Sequence, residues 1–374
     1  MVGRKIDLTC AVEFGSVQSY TPPPLNSVAL VAERAHGEVI FSPMESDAQS
    51  LTREQQADKL LSEGLAADRD ELLMRLDHIG FYRMNGYSHT FRERGDNGAV
   101  MPRFRPGTTL RDVWECYRFD RSLRLMFLDA IERIEVSLRS QLAYFHTQQN
   151  GEYAYADAQY FPKWKGYVDI WKRVRFGSRE VNRSEALRNF YERDGGVHQY
   201  PPLGIAISCI ELGPLVYFFD YSDKLAVRKH IVRAWGIESA YISSWMHALN
   251  YLRNDCAHHV RVWNKQFFKL PQIPKYSTDR RWYCEYSEME QAWVLPANRH
   301  RAQPCVSSHS PACFMFVCRH LMQRIAPTSS WHHRMEALLQ TYGANGGELG
   351  MMGLPKHWET HPLWTGAAVA DTRK

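Results

Sequence analysis

The stretch Leu249–Asn264 reads LNYLRNDCAHHVRVWN and continues an apolar helical pattern that begins upstream. Apolar residues recur at three- and four-residue steps, and at about 100° per residue they fall on one face of a single helix. They are Ile242, Trp245, Met246, Leu249, Leu252, Cys256, Val260 and Trp263. The pattern predicts one helix from Glu238 to Asn264 that buries this face, and we expect His259 to pack toward the same side.

The opposite face of this predicted helix carries Asn254 and His258, four residues apart and flanked by His247 and Arg261. A helix that buries one side usually fills the other with Lys and Glu, whereas these groups donate, accept and transfer protons. The polar face is therefore interpreted as a site. Arg253 is offset from His258 by about 140° on an ideal helix, so its side chain must bend toward that face.

The run LRNDCAHHVRVWN resembles the signature of the bacterial Abi-like (abortive infection D/F) proteins. These proteins belong to the HEPN superfamily of ribonucleases and share an Arg-Asn-x-x-x-His motif with the RNA-guided CRISPR type VI effectors. Four other blocks are similar to family sequences in the same order: GFYRMNGY (80–87), FDRSLRLMFLDAIERIEVSLR (119–139), PPLGIAISCIELGPL (201–215) and MGLPKHWETHPLW (352–364). The resemblance extends over roughly residues 51–365.

This resemblance implies an all-α fold, an HEPN-type helical bundle with additional N- and C-terminal helical segments. It also implies a metal-independent endoribonuclease toxin of phage defence that needs no cofactor and is restrained by a structured non-coding RNA antitoxin. Its catalytic residues would be Arg253, Asn254 and His258. HEPN nucleases usually place two motifs across an interface, and one convincing motif occurs here, so the resemblance implies a homodimer through the motif face or a second chain.

The residue types of the motif suit RNA cleavage without a metal. RNA carries its own nucleophile, the 2′-hydroxyl, so cleavage requires a base, an acid for the leaving 5′-oxygen and positive charge near the phosphorane. Histidine titrates near neutrality, and arginine can contact two phosphate oxygens at once. We assign proton transfer to His258, charge stabilisation to Arg253, and positioning of the imidazole or of a phosphate to Asn254.

A second long helix is predicted from Thr109, which forms a capping box with Asp112, to about Gln149, before Asn150-Gly151. Its apolar stripe is Phe127, Leu128, Ile131, Ile134, Leu138, Leu142 and Phe145, and Arg124 and Glu135 project within it. A buried carboxylate costs several kcal/mol unless it is paired. The partner of Glu135 is either Arg139, one turn later, or Arg253 or His258 across a helix interface. In the second case Glu135 and Arg139, together with His247, support the catalytic pair. We expect this helix to pack against the motif helix.

A basic stretch with interleaved aromatic residues follows. Its predicted RNA-binding residues are Lys163, Lys165, Lys172, Arg173, Arg175, Arg179 and Arg183, interleaved with Trp164, Tyr167 and Trp171. Such a pattern suits single-stranded or looped RNA, and a solvated amphipathic helix with its aromatic residues in the core explains it equally well. In GFYRMNGY, Arg83, Asn85 and Tyr87 either contact RNA or close a turn after Gly80. Arg261 completes the predicted RNA-binding set.

Length and composition indicate a mostly helical cytoplasmic protein. The chain has 374 residues, 44% of them hydrophobic, and a formal net charge of +5, which permits a nucleic-acid partner without demanding one. No run of 18 apolar residues and no signal-peptide pattern is present, so no membrane partner is expected. The eight cysteines lack C-x-x-C pairs, which predicts free thiols and no metal site.

Three regions are predicted: an irregular extension over residues 1–50, an Abi-like HEPN helical domain over 51–270 and a C-terminal helical region over 271–374. Further predicted helices are Leu51–Glu63, Asp70–Ile79, Tyr167–Tyr191, Leu203–Phe219 with an interruption at Gly213-Pro214, Asp223–Ala234, Pro311–Ile325 and Ser330–Tyr342. One alternative function stays open at this point. It is a non-catalytic RNA-binding module in which the Arg-Asn-x-x-x-His motif is structural. Some HEPN toxins are silenced by nucleotidylation of a tyrosine two residues after the motif histidine, but Val260 occupies that position.

Overall fold

Residues 51–161, 167–222 and 226–369 are described by the computed structural model, and the predicted extension over residues 1–50 lies outside them. The α-helices in these ranges are α1 (Arg53–Ser62), α2 (Arg69–Ile79), α3 (Phe81–Ser88), α4 (Leu110–Asn150), α5 (Tyr167–Lys172), α6 (Arg179–Arg183), α7 (Glu185–Asp194), α8 (Leu203–Ala206), α9 (Leu212–Tyr221), α10 (Val227–Trp235), α11 (Ser239–Ala257), α12 (Pro311–Ile325), α13 (Trp331–Ala344) and α14 (Pro362–Thr365). The strands in these ranges form two antiparallel pairs, β1 (Arg92–Arg94) with β2 (Val100–Phe104) and β3 (Glu285–Ser287) with β4 (Ala292–Val294). The predicted all-α fold class is confirmed.

The long helix α4 is the scaffold of the fold. Thr109 and Asp112 form the predicted capping box at its start, and Gly151, at a φ of 92°, ends it after Asn150. Its 41 residues span about 60 Å at 1.5 Å per residue. Helices α10, α11, α12 and α13 all pack against it. Because four helices share one apolar surface, the position of each is set by α4.

The predicted packing of the motif helix against the helix that contains Ile131 and Leu138 is confirmed, since α11 packs against α4. Both stripes lie in one hydrophobic core, and residues such as Ile134, Leu249 and Leu252 have no solvent exposure. Within the part of the chain that the structure describes, no helix is both long and apolar enough to cross a lipid bilayer.

Two predicted helical regions are divided in the structure. The charged helical region Tyr167–Tyr191 contains three short helices, with Gly177 at a φ of 78° between the first two and Ser184 capping the third. The apolar helix is interrupted at Ile210, which is extended, and not at Gly213-Pro214. Pro214 lies in the first turn of α9, where a missing backbone N–H costs nothing because that donor has no partner within the helix.

Candidate functional site

Helix α11 ends at Ala257, one residue before His258, so the prediction of a single helix to Asn264 is wrong. The backbone N–H of His259 donates to the Cys256 carbonyl at 3.2 Å, and that of Val260 donates to the Asp255 carbonyl at 2.9 Å. These two bonds form a Schellman motif, the usual way in which the last carbonyls of a helix are satisfied. His259, at a φ of 60°, is the left-handed residue of that motif.

This helix end changes the surroundings of both histidines. His258 and His259 are exposed, and Val260 is 40% exposed, although the stripe predicted that Val260 and His259 would be buried. The reason is that the backbone leaves the helix before these residues, so helical periodicity no longer decides which way they point. Trp263 is buried as expected, but it reaches the core from a non-helical segment.

Asp120, a fully buried residue of α4, holds the segment that follows the motif. Its Oδ1 accepts the backbone N–H groups of Val262 and Trp263 at 2.9 and 2.6 Å. Its Oδ2 accepts the hydroxyl of Tyr87 at 2.6 Å and a hydrogen bond from the guanidinium of Arg124. A continued helix would require the two backbone donors for itself, so this carboxylate gives the chain a physical reason to leave the helix.

The buried carboxyl acts as an ionised acceptor. Burial raises the pKa of Asp120 above its ordinary value, and Arg124, Tyr87 and the two backbone N–H groups reduce that rise. All four contacts come from donors, which is the environment that suits a carboxylate rather than a protonated acid. Burial and the neighbouring Asp120 raise the pKa of Tyr87, which keeps its hydroxyl a donor.

Two arginines hold the same segment to α3. Arg83 Nη1 donates to the carbonyl of His259 at 2.7 Å. Arg261 donates to the carbonyl of Gly86, and its Nη1 lies 3.1 Å from Nδ1 of His89. The segment that directly follows the motif, residues 259–263, is thus held at several points by side chains from α3 and α4.

Three of the predicted site residues meet at this helix end. Arg253 is half-buried, and its Nη1 donates to Oδ1 of Asn254 at 3.0 Å, which is the bend toward the polar face that the sequence required. Asn254 is exposed, and its backbone carbonyl accepts the N–H of His258 at 2.9 Å. The imidazole of His258 has no hydrogen-bond partner among the described residues, so it is available to a ligand.

A cleft of about 560 Å³ opens beside the motif segment, between the end of α2, the start of α3, helix α4 and the end of α11. The residues of its lining that carry polar or titratable side chains are His78, Arg83, Tyr117, Arg121, Arg124, Cys256 and His259. None of the described lining residues has a carboxylate. Arginines and histidines that line a common space without a carboxylate in the lining form an environment suited to anions.

The supporting residues predicted from sequence do not reach the motif. Glu135 pairs with Arg139, and Arg139 also donates to the carbonyl of Ile207, so the intrahelical alternative is the one observed. His247 Nε2 lies 2.7 Å from Oδ2 of Asp220. His247 precedes Ala257 by about 15 Å of helix at 1.5 Å per residue, which separates it from the helix end.

The predicted RNA-binding residues divide into several groups. Tyr87 is buried and bonded to Asp120, and Arg261 is committed to α3, so neither presents a free surface. Arg83 is exposed and lines the cleft. Gly80, at a φ of 77°, makes the turn that GFYRMNGY was expected to contain, and the residues after it form α3.

The described basic side chains of the stretch are exposed to solvent, whereas the aromatic side chain of Trp171 is buried. Lys172 pairs with Asp169, and Arg173 pairs with Glu211. Arg175, Arg179 and Arg183 are exposed. Trp171 is 1% exposed in the core, as the amphipathic alternative requires. Lys163, Lys165 and Trp164, with the side chain of Tyr167, lie outside the described residues.

Sequence reasoning missed Asp120, Arg121, His78 and the role of His259. Asp120 and Arg124 are four residues apart inside the apolar stripe of α4, which is a detectable signal for a buried ion pair. Arg121 and His78 have no such signal, because their proximity to the motif arises only when α2, α4 and α11 are assembled.

The fold and site define a class: an all-α protein whose Arg-Asn-x-x-x-His segment borders a cleft lined by arginines and histidines. The family model of the Abi-like proteins matches residues 74–264, which is slightly more than half of the chain. The chain belongs to the Abi-like family, and this membership implies a role in abortive infection, a form of phage defence. Comparisons with curated proteins and with solved structures gave no match.

The match supports most of the resemblance seen in the sequence. It includes three of the four additional blocks, beginning at residues 80, 119 and 201, and ends at Asn264 with the motif. The block at residues 352–364 lies beyond it. Each residue that lines the cleft falls inside the matched range.

Proposed function

We propose that this Abi-like protein is an RNA-binding endoribonuclease toxin of the HEPN type, which cleaves RNA without a metal. The observation that carries the proposal is the position of the motif. Arg253, Asn254 and His258 lie at the end of α11, where the imidazole of His258 has no partner among the described residues, next to residues that line a cleft without carboxylates. A proton-transfer group beside a cationic cleft is what phosphodiester cleavage requires.

The chemistry assigns a role to each residue. The RNA 2′-hydroxyl attacks the adjacent phosphorus, and His258 accepts its proton or delivers one to the leaving 5′-oxygen. Arg253 stabilises the negative charge that develops on the phosphorane oxygens. Asn254 holds the Arg253 guanidinium through the 3.0 Å hydrogen bond. The products are a 2′,3′-cyclic phosphate and a 5′-hydroxyl, and no cofactor takes part.

A second copy of the chain supplies the second proton-transfer group in this proposal. One His258 can act as the base or as the acid in a given turnover, whereas cleavage needs both. Two motifs that face each other across a homodimer interface would provide them, with the exposed polar face of the end of α11 at the interface.

The motif assignment is tested by His258→Ala and Arg253→Ala. We expect both variants to lose growth inhibition and to cleave RNA about 10²–10⁴-fold more slowly, since a proton-transfer group or a transition-state contact is removed. RNA affinity should persist, because the residues that line the cleft are unchanged. His300→Ala, at an exposed histidine far along the chain, is the matched control and should remain toxic.

The alternative function is a non-catalytic RNA-binding module, and the same variants distinguish it. In a module the motif has only a structural role, so RNA binding and toxicity would fall together and purified protein would leave RNA intact. Retained binding with lost cleavage supports the nuclease.

We further propose that a structured non-coding RNA restrains the toxin by occupying its basic surfaces. Neutralising six or more phosphates releases counterions, so affinity should fall by roughly 10³ or more between about 50 and 200 mM salt. Charge reversal at Lys172, Arg173 and Arg175 should weaken the complex and raise toxicity at first. A chain that purifies without RNA and is indifferent to these reversals would contradict the antitoxin proposal.

A further inference from the structure

His259 occupies a backbone position that does not favour a side chain. It is the left-handed residue of the Schellman motif at the end of α11, with a φ of 60°. Glycine is the usual residue there because it has no Cβ to clash. Helices α7 and α10 of this chain end in the same conformation at Gly195 and Gly236. A histidine at the end of α11 gives up some backbone stability, and strained positions of this kind are common at functional sites.

In this conformation His259 is one of the residues that line the cleft described above. His259 is exposed, and its backbone carbonyl accepts a hydrogen bond from Arg83. Because the Schellman bonds fix the backbone of His259, the fold keeps this residue at the cleft.

The charges in the cleft are incompletely compensated. Arg124 is paired with Asp120. Arg121 is exposed and forms no hydrogen bond or ion pair with a described residue. Arg83 donates its hydrogen bond to the uncharged backbone carbonyl of His259. Two exposed guanidinium groups without carboxylate partners line the cleft together with His259, and this arrangement favours an anion from outside the chain.

The remaining surface of the cleft suits a nucleotide rather than a bare ion. Tyr117 is half-buried and stacks on Trp114 with a centroid distance of 5.0 Å, so its position is defined. Leu125, which is 53% exposed, and Leu128 add apolar surface to the lining, one and two helical turns after Arg121 on the same face of α4. Aromatic and apolar surface beside arginines is the combination that binds a nucleobase or ribose next to its phosphate.

We propose that His259, Arg121 and Arg83 form a phosphate subsite, distinct from His258, that holds an RNA nucleotide adjacent to the scissile bond. The assignment as an RNA subsite rests on the proposed function, whereas the assignment as a phosphate site does not. His259 acts as a ligand of that phosphate. Arg121 contributes a positive charge that no carboxylate of the described residues neutralises. Arg83 contributes a second positive charge and also holds the His259 backbone through its hydrogen bond.

The substitution His259→Gly separates a structural role from a binding role. It removes the imidazole and also relieves the left-handed strain, so the variant should be as stable as the wild type or more so. Gln291→Gly is the matched control, because Gln291 is exposed and left-handed at a φ of 49° in the turn between β3 and β4. The unfolding temperature of His259→Gly should be equal to or above that of the wild type, which excludes misfolding as the cause of any loss of binding.

Two probes then test the subsite. A single-stranded 20-nucleotide RNA with 2′-O-methyl riboses cannot be cleaved, so its fluorescence anisotropy reports binding alone. We expect His259→Gly and Arg121→Gln to weaken its binding about tenfold, with Arg121→Gln lowering the salt dependence by about one charge. Inorganic phosphate at constant ionic strength should raise the unfolding temperature of the wild type and of Gln291→Gly, and not of the two cleft variants.

The outcomes are distinguishable from those of the proposed function. If His259→Gly binds RNA and responds to phosphate like the wild type, the subsite is refuted, even where His258→Ala abolishes cleavage. If phosphate stabilises the wild type through Arg121 and His259 but the RNA probe does not bind, the phosphate site is supported and the RNA assignment is lost. Failure of both probes on the wild type overturns the inference.

Discussion

At the scale of single residues, Asp120 has the largest effect on the motif segment. It is the acceptor for donors from α3, from α4 and from the backbone of residues 262 and 263. The carboxylate therefore joins the buried core to a segment that begins directly after the two histidines. A change in its charge or hydrogen bonding therefore removes the acceptor of four donors, of which Tyr87 and the two backbone N–H groups belong to buried residues.

We predict that Asp120→Ala lowers the free energy of unfolding by about 3–5 kcal/mol, because it leaves the buried Arg124 guanidinium without its carboxylate. Denaturant unfolding would measure this loss. Asp58→Ala is the control, since Asp58 forms an exposed pair with Arg69 and such pairs contribute about 0–1 kcal/mol. Equal losses in the two variants would contradict the structural role given to Asp120.

At the scale of secondary-structure elements, α4 and α11 carry the fold and the site. Their stripes were predictable because each contains many apolar residues at helical spacing. The end of α11 was not, because a Schellman motif with histidine in the glycine position has no strong local signal. For the basic stretch, the sequence left two explanations open, an RNA-binding surface and an amphipathic helix with its aromatic residues in the core. The burial of Trp171 favours the amphipathic helix.

The capping box of α4 gives a second prediction. Thr109→Ala should lower the free energy of unfolding by about 0.5–2 kcal/mol, because the first backbone donors of the helix lose an acceptor. The hydroxyl of Thr109 accepts the Asp112 N–H at 3.2 Å, and serine offers the same acceptor. Thr109→Ser should therefore remain close to the wild type in thermal unfolding, and an equal loss in both variants would argue against the cap.

At the scale of the whole molecule, buried neutral histidines make the stability depend on pH. His146 is fully buried with both ring nitrogens unpartnered among the described residues, and burial lowers its pKa to about 4. His361 is buried likewise, and its pKa is lowered to about 3. Each binds a proton more readily in the unfolded chain, where a histidine has its ordinary pKa of about 6.5.

We therefore predict that the free energy of unfolding falls as the pH is lowered from about 6.5 toward 4, because these histidines bind protons in the unfolded state and stay neutral in the folded state. A single buried histidine of this kind can account for up to about 3 kcal/mol across that window. His146→Phe, which keeps a ring between Phe161 and Phe218, should reduce the slope of unfolding free energy against pH. His300→Phe, at an exposed position, should leave the slope unchanged, and an unchanged slope in His146→Phe would refute the assignment.

The sequence by itself determined the helical class, the two long stripes, the capping box at Thr109 and the motif Arg253, Asn254 and His258. These features are local, since helical periodicity and capping involve residues within one or two turns of each other. The partner of Glu135 was open between two alternatives, and a local one, Arg139, was observed.

Only the tertiary structure decided where α11 ends, which histidine lines the cleft and which arginines stand beside it. The donors of residues 262 and 263 are taken by a carboxylate more than 140 positions earlier in the chain, and the cleft combines α2, α3, α4 and α11. Contacts over such separations leave no periodic trace in the sequence. They depend on how the buried stripes dock, because docking sets which polar groups meet at the helix ends.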